Sequence, residues 1–143
     1  MTKMTITETV WLEDRLVFTI AATGFPQGVL EAHQKLHALV PYEAKRQYYG
    51  ISFPNKDGHI RYMAGAEELN KGELSKHGLE TFILKKGNYT CIDLDDFRSR
   101  PDRIQEAFQV LIHQKGIDPN GCCVEWYQHP ASVKCLVRMD VAE

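Results

Sequence analysis

No run of apolar residues in this 143-residue chain approaches the ~18 in succession that a membrane helix needs. The segment Met1 to Glu8 is polar and lacks the apolar centre of a signal peptide. A soluble, cytoplasmic protein is therefore the expectation. Charge of either sign is not in excess: 17 basic residues stand against 19 acidic ones, for a net charge of −2. Without a basic stripe to neutralise phosphates, neither a direct nucleic-acid partner nor a membrane surface is expected. The short run Lys85-Lys86 reads as solvated surface. Cysteine is sparse, at positions 91, 122, 123 and 135, and no Cys-x-x-Cys pair is present for zinc or dithiol chemistry. Free thiols in a reducing compartment are the expectation. A Gly-rich phosphate loop and a Gly-x-Ser-x-Gly elbow are also missing, so no cofactor is expected. Low-complexity tracts and interdomain linkers are absent too, and the length suits one domain.

The chain does hold a regular alternation of elements. Residues Leu16 to Ala22 form a short β-branched run, a strand signal. Gly24-Phe25-Pro26 breaks it, and Val29, Leu30, Ala32, Leu36, Leu39 and Val40 then recur at helical spacing up to Pro41. Gln47 to Phe53 and His59 to Ala66 read as strands around an Asn55-Lys56-Asp57-Gly58 turn. The order then recurs. Leu79 to Leu84 and Tyr89 to Leu94 read as a hairpin around Lys86-Gly87-Asn88. Ser99 and Asp102 suggest a capping box, with Pro101 in the first turn, and Ile104, Ala107, Phe108, Leu111 and Ile112 supply a helical stripe ended by Gly116. After the Asp118-Pro119-Asn120-Gly121 turn, Cys122 to Tyr127 and Val133 to Met139 make the last strands. Sliding one half over the other by roughly 74 positions matches this order, which points to internal repeats at roughly 5–70 and 78–140 of one 1–143 domain. The economical packing is α+β: duplicated strand–helix–strand–strand units forming an antiparallel sheet, with two helices on one face.

Alternation along Cys122-Cys123-Val124-Glu125-Trp126-Tyr127 puts Cys122, Val124 and Trp126 on one side and Cys123, Glu125 and Tyr127 on the other. The first set is apolar and suits packing against helices. The second set, joined through the repeat by Tyr49, Ile51 and Phe53, describes an aromatic-walled concavity with one acid, a small-molecule pocket composition. Such an acid can meet a cationic ligand, act as general acid or base, or, if it lies at an edge, point into water. His33 and His37 stand four apart on a helix, a spacing that two ligands of a metal can use, but no third ligand follows, so no metal site is expected. No His or Cys is placed for an axial bond to haem.

Ile60-Arg61-Tyr62 with Gly65, Lys86-Gly87-Asn88-Tyr89, the helix with Phe108 and above all Val124-Glu125-Trp126-Tyr127 carry a family resemblance. On them the chain resembles the bacterial GyrI-like small-molecule-binding family, related to the effector-binding domains of multidrug-sensing transcription regulators. The likeness covers nearly the whole chain, most clearly from 45 to 139. It implies two duplicated units with a ligand cleft on their pseudo-twofold axis, with Glu125 and Tyr127 in the pocket. Strand parity and the repeat, apart from the resemblance, add Tyr49, Phe53 and Tyr62 as further ligand-binding residues. Met63 stands where the family often has an acid, and Lys86 where a proline usually precedes the Gly-x-Tyr turn. The resemblance implies a stand-alone receptor that senses or sequesters amphipathic aromatic compounds, cationic ones included, with a small hydrophobic or cationic ligand as its partner. Two alternatives are a hydrolase of reactive xenobiotics, with Glu125 as the catalytic base, and a gyrase-modulating protein docking through acids such as Asp93, Asp95 and Asp96.

Overall fold

The computed structural model describes residues 4–54, 57–129 and 131–140. In chain order its elements are β1 (Ile6–Trp11), β2 (Arg15–Ala21), α1 (Val29–Leu39), β3 (Tyr48–Pro54), β4 (Ile60–Ala66), β5 (Glu80–Leu84), β6 (Gly87–Asp95), α2 (Asp102–Ile112), β7 (Cys123–His129) and β8 (Ser132–Arg138). The fold is α+β with antiparallel strand pairing, as expected from the sequence. The turn expected at 55–58 lies partly outside the described residues.

The chain divides into two compact units, one running from Asp14 to Lys85, the other joining the N-terminal strand to everything from Lys86 onward. Within the Asp14–Lys85 unit the strand order is β3-β4-β2-β5, and α1 lies against β4 and β2. Within the other unit the order is β1-β6-β8-β7, and α2 lies against β8 and β6. Each unit is therefore a strand–helix–strand–strand motif with one extra edge strand laid beside its first strand.

Those edge strands correct the expected hairpin. β5 pairs with β2, from Arg15↔Leu84 to Thr19↔Glu80, while β6 pairs with β1 and β8. The glycine read as a hairpin turn has another task. Gly87 (φ 134°) sits opposite Trp11, and a Cβ there would stand 3.0 Å from the Arg138 guanidinium. That guanidinium donates to the Lys86 carbonyl at 2.9 and 3.0 Å and to Asp118 at 3.0 Å. The residue is glycine because an arginine lies across it. β1 also falls where the sequence suggested only a polar terminus. Its Thr7, Thr9 and Trp11 face away from α2, and Trp11 is 3% exposed.

The capping box at Ser99 and Asp102 does not form. Ser99 Oγ donates to Asp96 Oδ2 at 2.9 Å, and the Asp102 carboxylate is held by Arg100 at 3.0 Å. Pro101 still precedes the first turn, where its missing N–H costs nothing. The helix ends at Ile112, ahead of Gly116. Ala107, Phe108 and Leu111 pack on Ile92, Leu94, Val133, Cys135 and Val137 to form this unit's core.

Candidate functional site

Strand β7 decides the site. It pairs with β8 in the register Cys123↔Val137, Glu125↔Cys135 and Tyr127↔Val133. Directly opposed residues share a face, and Val133, Cys135 and Val137 all belong to the core under α2. Cys123, Glu125 and Tyr127 consequently lie on the helix-covered face, and Cys123 and Tyr127 pack against that core. This reverses the assignment made from sequence, in which Cys122, Val124 and Trp126 were to meet the helix. Val124 and Trp126 point the other way, where Trp126 packs edge-on against Trp11 at 5.6 Å and Trp11 against Tyr89 at 4.6 Å.

The equivalence drawn through the repeat, which set Tyr49 and Phe53 beside Cys123 and Tyr127, fails as well. The equivalent strands begin at Tyr48 and Cys123, an odd number of positions apart, whereas a slide of ~74 is even. A slip of one residue moves every side chain to the opposite face.

Glu125 is a carboxylate at 8% exposure. Its Oε1 accepts a hydrogen bond from the Tyr127 hydroxyl, two residues along the same face. The strand's period of two makes this pair possible: a carboxylate and a phenol at i and i+2 project side by side. Tyr127 is flanked in turn by Phe97, with ring centroids 5.4 Å apart. Cys135, opposite Glu125, is buried, and burial together with the nearby Glu125 charge pushes its thiol far above the usual range. Burial likewise raises the Cys122 thiol to about 12. These are inert thiols at neutral pH.

The aromatic residues proposed from the other half do not share one surface. Tyr49↔Gly65 and Phe53↔Arg61 place Tyr49 and Phe53 on one face of the β3-β4-β2-β5 sheet. Ser52↔Tyr62 places Tyr62 on the opposite face, where α1 lies. Tyr49 is fully buried, donates to Glu67 Oε2 and accepts from Arg15 Nη1 at 3.0 Å. Burial and the Glu67 carboxylate hold its phenol well above the normal range. Phe53 stacks on Phe82 at 5.9 Å. Tyr62 is 2% exposed, and its hydroxyl shares a 2.7 Å hydrogen bond with His33 Nε2 while Phe25 stacks on its ring at 5.9 Å.

That hydrogen bond was not visible in the sequence, although a His one turn before another His and facing a strand tyrosine is the kind of pattern that could have suggested it. Burial, then the neighbouring His37, lowers His33 to about 4, so it is neutral at pH 7. His37 packs on Tyr48, ring centroids 5.1 Å apart. Among the described residues no group of three or more His, Cys, Asp or Glu is arranged to hold a metal. The acids considered for docking have partners within the chain: Asp93 with Lys134 at 3.0 Å, Asp95 with Ser132 at 3.2 Å and Asp96 with Ser99. Among the described residues no helix is long and apolar enough to cross a membrane.

No protein-family model matches the chain, and no curated protein matches it in sequence. Solved structures do. SAV2435 bound to tetraphenylphosphonium superposes with a TM-score of 0.66 at 11% identity, over 96% of this chain and 94% of its own. An integron cassette protein from the mobile metagenome of Vibrio cholerae gives 0.62 at 14% identity, over 95% of each chain. A candidate bacterial transcription regulation protein from Staphylococcus aureus MU50 gives 0.59 at 12% identity, over 95% and 98%. At such identities the likeness is one of fold, and it extends over almost the entire chain, in agreement with the fold that the GyrI-like resemblance implies.

Proposed function

We propose that this protein is a receptor for amphipathic aromatic compounds, lipophilic cations among them, and that Glu125 is the residue that recognises their charge. The observation that carries the reading is the Glu125 carboxylate, 8% exposed on β7 and bonded by Tyr127. A carboxylate is costly to bury, and cost of this kind is repaid when the group meets a cation or a donor. The Tyr127 ring beside it attracts the same ligands through its face. The tetraphenylphosphonium carried by one protein of like fold is a compound of this class. Tyr62 belongs to the other unit, where it is 2% exposed and bonded to His33, and the reading rests on β7 alone. Tyr49 and Phe53 face away from α1 and are left out of it.

Titration calorimetry with tetraphenylphosphonium and its isosteric anion tetraphenylborate tests the proposal. Glu125→Gln keeps the shape and removes the charge. Phosphonium affinity should then fall by about 1–3 kcal/mol, the scale of a charge-assisted contact. Borate binding should stay the same or improve. Equal loss for both ions would return Glu125 to a structural role. Hydrolysis of a reactive ester by the parent protein, collapsing ~100-fold in the variant, would instead favour the hydrolase considered from sequence.

A further inference from the structure

We propose that Phe97 is the positioning residue of this acid: through the Tyr127 ring it sets where the Glu125 carboxylate points, and so how strongly the site prefers a cation. The inference deepens the receptor reading and rests on it. The chain of contacts is short and lies within one unit. Phe97 stands in the connection between β6 and α2, and its ring meets that of Tyr127 at 5.4 Å with the planes inclined at 53°. This is a favourable tilted arrangement for two aromatic rings. The Tyr127 hydroxyl then donates to Glu125 Oε1. A phenol held along its flank by one ring and at its tip by a carboxylate keeps little freedom, and neither does the carboxylate it holds.

Phe97 is itself anchored. Its N–H donates to the Ala131 carbonyl at 3.1 Å, which ties the β6–α2 connection to the turn between β7 and β8. The preceding Asp96 adopts a left-handed φ of 54°, and both its carbonyl and its carboxylate accept from Ser99, at 3.2 and 2.9 Å. The Arg98 guanidinium lies 5.5 Å from the centre of the Phe97 ring, at cation–π distance. Phe97 is half-buried and packs against the α2 core from outside, whereas Phe108 is one of the core's own members. Removing the Phe97 ring thus takes little from the core but takes the flank from Tyr127.

The test is a double-mutant cycle read with the two tetraphenyl ions. Phe97→Leu preserves apolar bulk and should weaken tetraphenylphosphonium about 3- to 10-fold, the scale of one aromatic pair. Tetraphenylborate should be unmoved. In a Tyr127→Phe background, where the link to Glu125 is already cut, Phe97→Leu should change phosphonium affinity less than about 2-fold. Phe97→Tyr keeps the ring and should bind like the parent. The same loss in both backgrounds, an equal loss for both ions, or failure of Phe97→Tyr to restore binding overturns the proposal. If the parent binds neither ion, the receptor reading falls, and the positioning role is read without ligand. The 13Cζ resonance of Tyr127, assigned through Tyr127→Phe, should move in Glu125→Gln and in Phe97→Leu. A resonance unmoved by Phe97→Leu overturns the positioning role on its own.

Discussion

Burial changes what individual side chains in this protein can do, and His33 shows it most plainly. Packed against Tyr62 and beside His37, it titrates at about 4 instead of 6.5. Above pH 6.5 both folded and unfolded chains carry it neutral. As the pH falls from about 6.5 to about 4 the unfolded chain takes a proton that the folded protein refuses. Stability is therefore lost as pH falls through that window, by about 3 kcal/mol for this group. His33→Gln should flatten that part of the profile, as read from urea midpoints at pH 7, 5.5 and 4.5. Parent and variant profiles of equal slope would show that His33 takes up its proton normally in the folded state. The residue types at Glu125 and Tyr127, and their shared face, were legible in the sequence, because alternation along a strand is a local property. What the Tyr127 hydroxyl bonds to, and that His33 meets Tyr62 across 29 positions, was not.

At the level of elements, the packing of β4 against β2 depends on Gly65. A Cβ built there would lie 2.3 Å from Val17 Cγ1, and Val17 is fully buried. Neither strand can retreat, since β4 is also paired with β3 through Tyr49↔Gly65. Gly65→Ala should cost about 1–3 kcal/mol by overpacking, measured by chemical denaturation. Adding Val17→Ala should cost less than the two single changes together, because each relieves the other. Strict additivity would mean that the strands move apart to accommodate the methyl. The sequence marked both helices and most strands, because apolar periodicity is written into neighbouring residues. It misjudged β5 and β6, since a Lys-Gly-Asn turn signal says that the chain bends and not which strands then pair. It misread the start of α2 for a related reason: Ser99 is turned to Asp96, and Arg100 takes the Asp102 carboxylate that the capping box needed.

Across the whole molecule, the path of the chain is discontinuous: it begins in one unit, runs through all of the other and returns at Lys86. The first unit is then closed by β1, whose Trp11 packs on Tyr89 and Trp126. Trp11→Ala should cost about 3–5 kcal/mol, the scale of a buried tryptophan, in urea or thermal unfolding. A loss below about 1 kcal/mol would mean that the N-terminal strand contributes little to this unit. The sequence by itself determined the α+β class, the recurrence of strand, helix, strand and strand, and the chemistry available on β7. Each of these follows from spacing among near neighbours, where backbone geometry dictates the period. Only the tertiary structure decided that β1 lies on β6 and β5 on β2, and that Glu125 is turned toward α2. Pairing partners are chosen by burial between segments far apart in the chain, and a face has no identity until something packs on it. A one-residue error in aligning the repeats leaves every local pattern intact and still sets Tyr49 and Phe53, instead of Tyr48 and Ser52, as the counterparts of the residues on the acid's face.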